Sequence, residues 1–300
     1  MQILESDNAI LQFSEKNKPI AYAEDRETII FKTLDCFSNK LEKESQLFNS
    51  VGWGDINPAT GPLYINGAEK GDILKVDIID IELDDKGVTA DAPGHGVFGK
   101  IWDREVTKIV PVKFGKVEFN DKIKLDLKPM IGVIGTAPAN GKEIPTSTPD
   151  SHGGNMDCKE IGINTSLYLP VNVSGALLAM GDVHAVMGDG EVSVCGIEIA
   201  STIKVKVSII KDFELPLPFL VNDTKAMTIY SAKTLDEAAE GAVFQMQKFT
   251  TEKLGIEPHE SAMLLSAAAD LKICQIVDPL KTCRMELPLE IIEKYGYTFN

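Results

Sequence analysis

From residue 28 to about residue 210 the chain is a succession of short runs in which apolar and polar side chains alternate, broken throughout by glycine and proline. A period of two places every second side chain on one face of a strand, so this stretch specifies half-buried sheets and little else. The clearest case is Asp72-Ile-Leu-Lys-Val-Asp-Ile-Ile-Asp-Ile-Glu82. Residues 108–119, 122–127, 130–134, 166–171 and 192–209 form further β-branched runs with turn residues between them. That spacing suits a sandwich or barrel rather than βαβ units.

The pattern changes after Pro218. Thr234-Leu-Asp-Glu237 has the form of a capping box, and Leu235, Ala238, Ala242, Val243, Met246 and Phe249 follow at helical spacing. A second helix is expected from about Pro258 to Leu271, then a strand at 273–277 and a short helix at 289–295. The expected fold is therefore mainly β. A sandwich- or barrel-like body over residues 1–215 carries most of the site, and an α+β section over 216–300, with two helices after residue 230, packs on it.

Bulk properties remove several function classes. A formal charge of -15 repels nucleic-acid phosphate and anionic membrane, so neither is an expected partner. Nothing in the sequence approaches the roughly 18 to 20 apolar residues of a membrane helix, and residues 1–14 lack the form of a signal peptide. Five cysteines, odd in number and without a Cys-x-x-Cys pair, fit a reducing cytoplasm better than a disulfide framework.

One segment departs from this background. Between Asp150 and Glu198 lie two of the four histidines and seven carboxylates, against a single basic side chain, Lys159. Asp182 and His184 stand two apart in a strand-like run, on one face. If 187–191 is a hairpin turn, residues 192–198 fold back alongside 176–186, with Cys195 or Val194 opposite His184 and with Glu191 and Glu198 reaching the same patch. Asp157 would join from a separate loop. Carboxylates crowded on one surface repel one another unless a cation or proton sits between them. A divalent metal is thus the expected cofactor, with zinc the first choice for one imidazole plus carboxylates and calcium as well or instead for an all-oxygen subset.

Plainer readings stand beside this one. Asp189 in Gly-Asp-Gly is ordinary turn chemistry, Asp150 and Glu160 read as solvated loop charges, and His259 as a surface or capping residue. His152 before two glycines reads equally as a loop residue or a ligand. His95, between glycines, and Cys195, as a thiolate nucleophile, are weaker candidates. A noncatalytic β-rich module holding a structural calcium is the alternative from another function class.

With those residues in view, the chain resembles the acetamidase/formamidase family. The resemblance runs in order through Asn57-Pro-Ala-Thr-Gly-Pro62, Gly67-Ala-Glu-Lys-Gly-Asp72, Gly132-Val-Ile-Gly-Thr-Ala-Pro138, His152-Gly-Gly-Asn-Met-Asp157, Leu169-Pro-Val171, Gly175-Ala176, Gly181-Asp-Val-His184 and Gly188-Asp-Gly-Glu191 to Glu198. It implies hydrolysis of a short linear amide such as formamide or acetamide, with release of ammonia, by a homo-oligomer. It also implies Asp157 and His184 as leading metal ligands, Asp182 and Glu198 as the next, and Glu191 as proton carrier beside His184. Gly153, Gly154 and Asn155 become the expected oxyanion and substrate contacts.

Overall fold

The computed structural model describes residues 1–299 and is mainly β, with its longest helices in the C-terminal part. Among the described residues a nine-stranded sheet has the spatial order Gln2–Leu4, Thr28–Thr33, Ser201–Ile210, Ile73–Leu83, Thr165–Pro170, Phe219–Val221, Lys225–Ala232, Lys281–Pro288 and Asp270–Gln275. A six-stranded sheet centres on Met130–Gly135, Leu178–His184 and Ala59–Ile65, and a four-stranded sheet includes Lys86–Asp91 and Val106–Lys113. Ile73–Leu83 falls on the run with the strongest alternation, and Ser201–Ile210, antiparallel to it, alternates strictly through Val207 between buried and half-exposed residues. Inward residues of the nine-stranded sheet (Leu74, Val76, Leu167, Val205) share one core with Leu63, Ile131, Leu178 and Met180 of the six-stranded sheet. The mainly β, sandwich-like reading therefore holds.

Two strand expectations need correction. The run 108–119 is two strands, Val106–Lys113 and Lys116–Glu118, because Phe114 and Gly115 both take positive φ and turn the chain. The run 192–209 becomes regular only at Ser201, since the residues before it wrap around buried carboxylates.

The C-terminal helices arise where local chemistry starts them. At Leu235–Leu254 the Glu237 N–H donates to Thr234 Oγ1 at 3.2 Å, the Thr234 N–H donates to Glu237 Oε2 at 3.1 Å, and Gly255 ends the helix at φ 71°. Ala238, Ala242, Met246 and Phe249 form its buried stripe and pack, with Leu265, on Phe219, Ala226, Met285 and Leu287 of the sheet. The second helix, Pro258–Ala268, ends earlier than expected because Ala269 is already extended and Asp270 begins the strand Asp270–Gln275. A short third helix, Leu289–Lys294, closes the chain. No helix among the described residues is long and apolar enough to cross a membrane.

Thr234→Ala removes the side-chain acceptor of the cap. It should lower stability by about 1 kcal/mol, read as a shift of the denaturant midpoint followed by circular dichroism.

Candidate functional site

The strand Leu178–His184 lies between Met130–Gly135 and Ala59–Ile65, which makes it a central, fully buried strand. Its C-terminal end carries Asp182 and His184. Asp157 comes from the segment after Gly153–Asn155, the strand on the far side of Met130–Gly135. The return chain does run beside Leu178–His184, but through a longer loop than a hairpin turn. Ala185 and Val186 exchange backbone bonds with Ile197, so Glu198, and not Cys195 or Val194, stands opposite His184. The intervening loop delivers Glu191.

These five side chains converge in a dry place. His184 is 1% exposed, and Asp157, Asp182, Glu191 and Glu198 are all buried. From His184 Nε2 the carboxylate oxygens lie at 3.1 Å (Glu198), 3.6 Å (Asp182), 3.7 Å (Asp157) and 3.9 Å (Glu191). Asn57 Nδ2 donates to Asp182 Oδ2 at 2.7 Å, and the Gly196 N–H donates to Glu198 Oε1 at 2.9 Å. Even so, one carboxylate oxygen of each acid, together with His184 Nδ1, has no hydrogen-bond partner among the described residues.

The backbone is bent to achieve this. Asn57, Asp157, Asp182 and Glu191 all have positive φ, between 42° and 54°, a region in which each non-glycine residue costs about 1 kcal/mol or more. Two glycines make room. A methyl group on Gly132 would strike the Asp157 carboxylate and would lie 2.8 Å from Asp182 Oδ2; on Gly196 it would lie 2.9 Å from His184 Nδ1.

Electrostatics follow from the crowding. Burial, then repulsion from Asp182, pushes the Asp157 carboxyl up to about 6. Burial is also the main reason that Glu198 rises to about 8, and burial with the Asp157 charge holds Glu191 well above the usual carboxylate range. Asp182 goes the other way: burial opposes its charge, but the His184 imidazole 3.6 Å away outweighs it. Burial likewise opposes a charged His184, and the Glu198 and Asp182 carboxylates overcome it.

Residues that the sequence did not single out complete the site. Asp278, in the turn before Lys281–Pro288, has its carboxyl turned inward, where it accepts from Asn155 Nδ2 at 2.9 Å; burial and Asp157 raise its pKa well above the ordinary value. Cys36 is buried, and its sulfur lies within 4.8 Å of ligand atoms of Asp182 and Glu198, while Asp157, His184 and Glu191 form a second such group. Asn57 lay inside a quoted motif, but Asp278 and Cys36 had no local signal, being a lone acid before proline and a lone cysteine. Asp189 is more than a turn residue. The 2%-exposed Arg284 grips it with bonds of 2.7 and 3.0 Å, Lys159 reaches it at 2.9 Å, and Gly190 exchanges backbone bonds with the segment at Cys274 and Ile276. The C-terminal section thereby fixes the turn that carries Glu191.

The remaining candidates are dispersed. Asn155 lines the chamber above the acids, but Gly153 and Gly154 do not, and the Gly153 N–H already donates to the Asp150 carbonyl. His152 is buried edge-on against Phe13, 5.0 Å between centroids, and burial pushes its pKa down to about 4. His95 lines the chamber, its ring tilted against that of Phe48 with 4.9 Å between centroids. Cys195 Sγ is held by the Ala90 N–H and carbonyl, both at 3.2 Å, and burial pushes its thiol up to about 12, so it is protonated at neutral pH. His259 sits at the start of the second helix, where its N–H bonds the Glu257 cap. The chamber itself is a cavity of about 800 Å³ with these acids as its floor.

Two predictions follow from this geometry. Arg284→Leu takes one of two cationic partners from each of Asp189 and Glu286, leaving them Lys159 and Lys225, and should lower stability by about 1.5 to 3 kcal/mol, measured by thermal unfolding. In chelated protein, Asp157 and Glu198 have folded pKa values above their unfolded ones, so the folded state holds extra protons. His184, also raised, acts in the same direction, and stability is lost as pH rises through about 6 to 8. A melting temperature that falls over that range with chelator, and not with a divalent ion, is the expected result.

The acetamidase/formamidase family model matches residues 12–147 and 139–294. The crystal structure of an acetamidase from Bacillus halodurans superposes with a TM-score of 0.97 at 46% identity, covering 98% of this chain and 100% of that one. A predicted acetamidase/formamidase from Thermoanaerobacter tengcongensis gives 0.96 at 43% identity, covering 99% of each chain. A formamidase from Methylophilus methylotrophus is 29% identical over 209 residues, 51% of this chain and 51% of its own length. The curated relatives are longer proteins, of which the chain spans 51 to 60%. Matched along nearly its whole length, the chain belongs to the acetamidase/formamidase family.

Proposed function

We propose that this protein is a metal-dependent hydrolase of primary amides, converting formamide- or acetamide-like substrates to carboxylate and ammonia. The observation that carries the reading is the buried ring of four carboxylates around His184 Nε2 with oxygens left unpartnered. Buried charges of one sign are stable only with compensation, and a divalent cation supplies it. Asp157, Asp182, His184 and Glu198 would hold the ion. The imidazole, the carboxylates and the nearby Cys36 thiol suit zinc or another first-row metal. Bound there, such an ion supplies the charge that polarises an amide carbonyl and acidifies water.

The protein's own groups account for the proton traffic. Glu191 reaches the chamber, has an unpartnered Oε2, and binds protons far above the pH of an ordinary carboxyl. It would take a proton from the attacking water and return it to the departing nitrogen, which leaves poorly unless protonated. Asp278 accepts from Asn155 Nδ2 and so positions that amide at the chamber wall. The chain is further proposed to act as a homo-oligomer.

Ammonia release from formamide and acetamide tests the reading. Metal-loaded protein should release ammonia, chelator should abolish this, and Glu191→Gln should lower kcat by about 100-fold or more. Cys195→Ala should retain turnover, because its neutral thiol has no part in this chemistry. Loss of turnover in Cys195→Ala, with activity insensitive to chelation, would point to a thiol mechanism instead.

A further inference from the structure

The chamber is far larger than the amides after which the family is called. Acetamide has four heavy atoms and fills on the order of 100 Å³, taking about 30 Å³ per atom as for a water molecule, whereas the cavity measures about 800 Å³. A void of that size belongs to the class that holds whole drug-sized ligands. Its lining is divided. The acids share it with an apolar wall of Phe37, Phe48, Ile56, Val97, Val194 and Val277, and with the polar side chains of Lys100, Ser147 and Lys281. Phe37 and Phe48 meet edge to face at 5.7 Å, and Phe48 lies 4.9 Å from the His95 ring, so the aromatic part of that wall is tightly packed. Val97, 49% exposed, stands at the mouth. Phe37 and Phe48 are already buried and back this wall, whereas a one- or two-carbon amide would leave the open faces of Ile56, Val97, Val194 and Val277 against water, at a cost for each unburied apolar side chain.

Building on the amide-hydrolysis reading above, we propose that the protein's substrate is a primary amide whose acyl carbon bears a bulky apolar group, aryl or branched alkyl, seated against the wall of Phe37, Phe48, Ile56 and Val97. The reaction balances as simple hydrolysis. Water adds oxygen to the acyl carbon, the C–N bond breaks, and the nitrogen leaves with the protons that Glu191 returns, as ammonia. No oxidant, reductant or second substrate enters. The wall acts through binding, so its effect falls on KM more than on kcat.

Each buried methylene-sized increment should raise kcat/KM about fourfold. Metal-loaded protein is therefore expected to prefer phenylacetamide to acetamide by about 100-fold, with isovaleramide between them, and mostly through a lower KM. Phe48→Ala should cut the phenylacetamide-to-acetamide ratio at least tenfold. Val97→Asp, at a partly exposed position that tolerates charge, should do the same by placing a carboxylate beside the apolar group. Acetamide turnover with a ratio below ten overturns the inference and leaves the amidase reading intact. A ratio that neither variant changes removes the wall from substrate recognition and overturns it too. Ammonia from no amide at all overturns the amidase reading and this inference together.

Discussion

The repulsion among buried carboxylates around one imidazole is the constraint to which the rest of the structure answers. Asp157, Asp182, Glu191 and Glu198 are each held within 4 Å of His184 Nε2. Left uncompensated, such a group would drive its strands apart or take up protons. The fold resists with rigid surroundings. A central strand carries two of the groups, a neighbouring bridge carries a third, and glycines at 132 and 196 let backbone lie where any side chain would collide. The left-handed residues are part of the same arrangement: Asp157, Asp182 and Glu191 each turn a carboxylate inward, and Asn57 the amide that binds Asp182, at a local cost that the packed sheets sustain.

That rigidity is spread across the chain. Arg284 lies on the strand Lys281–Pro288, yet it ties down Asp189 and with it the loop of Glu191, while Glu286 holds its other face through a 2.7 Å bond. The section with helices is therefore no passive support. Its strands continue the large sheet, and its turn at Asp278 closes one side of the chamber. Sheet packing, loop placement and site electrostatics meet at these few contacts.

How much of this was legible in the sequence depended on the range of each interaction. Period-two alternation at 73–83 and the reciprocal bonds of Thr234 and Glu237 are local, and both could be read directly. The cluster of acids was visible as composition, because its members fall within one segment with a single lysine. The register was not. Glu198 faces His184 because a ten-residue excursion separates paired Val186 from Ile197, and that excursion is held by Arg284, 95 residues beyond Asp189. Asp278 and Cys36 contribute from outside the segment, and nothing in their immediate neighbours distinguishes them from surface acids or core thiols. The apolar wall drew on the same long-range closure.

The reach of that closure bears on how the protein is made. Its pocket joins Cys36 to Asp278, 242 residues further along (278 − 36), so the stretch between them must leave the ribosome before the pocket has all its sides. Until then the acids from the middle of the chain have neither the Arg284 anchor nor the Asp278 turn, and their mutual repulsion favours an open, hydrated arrangement.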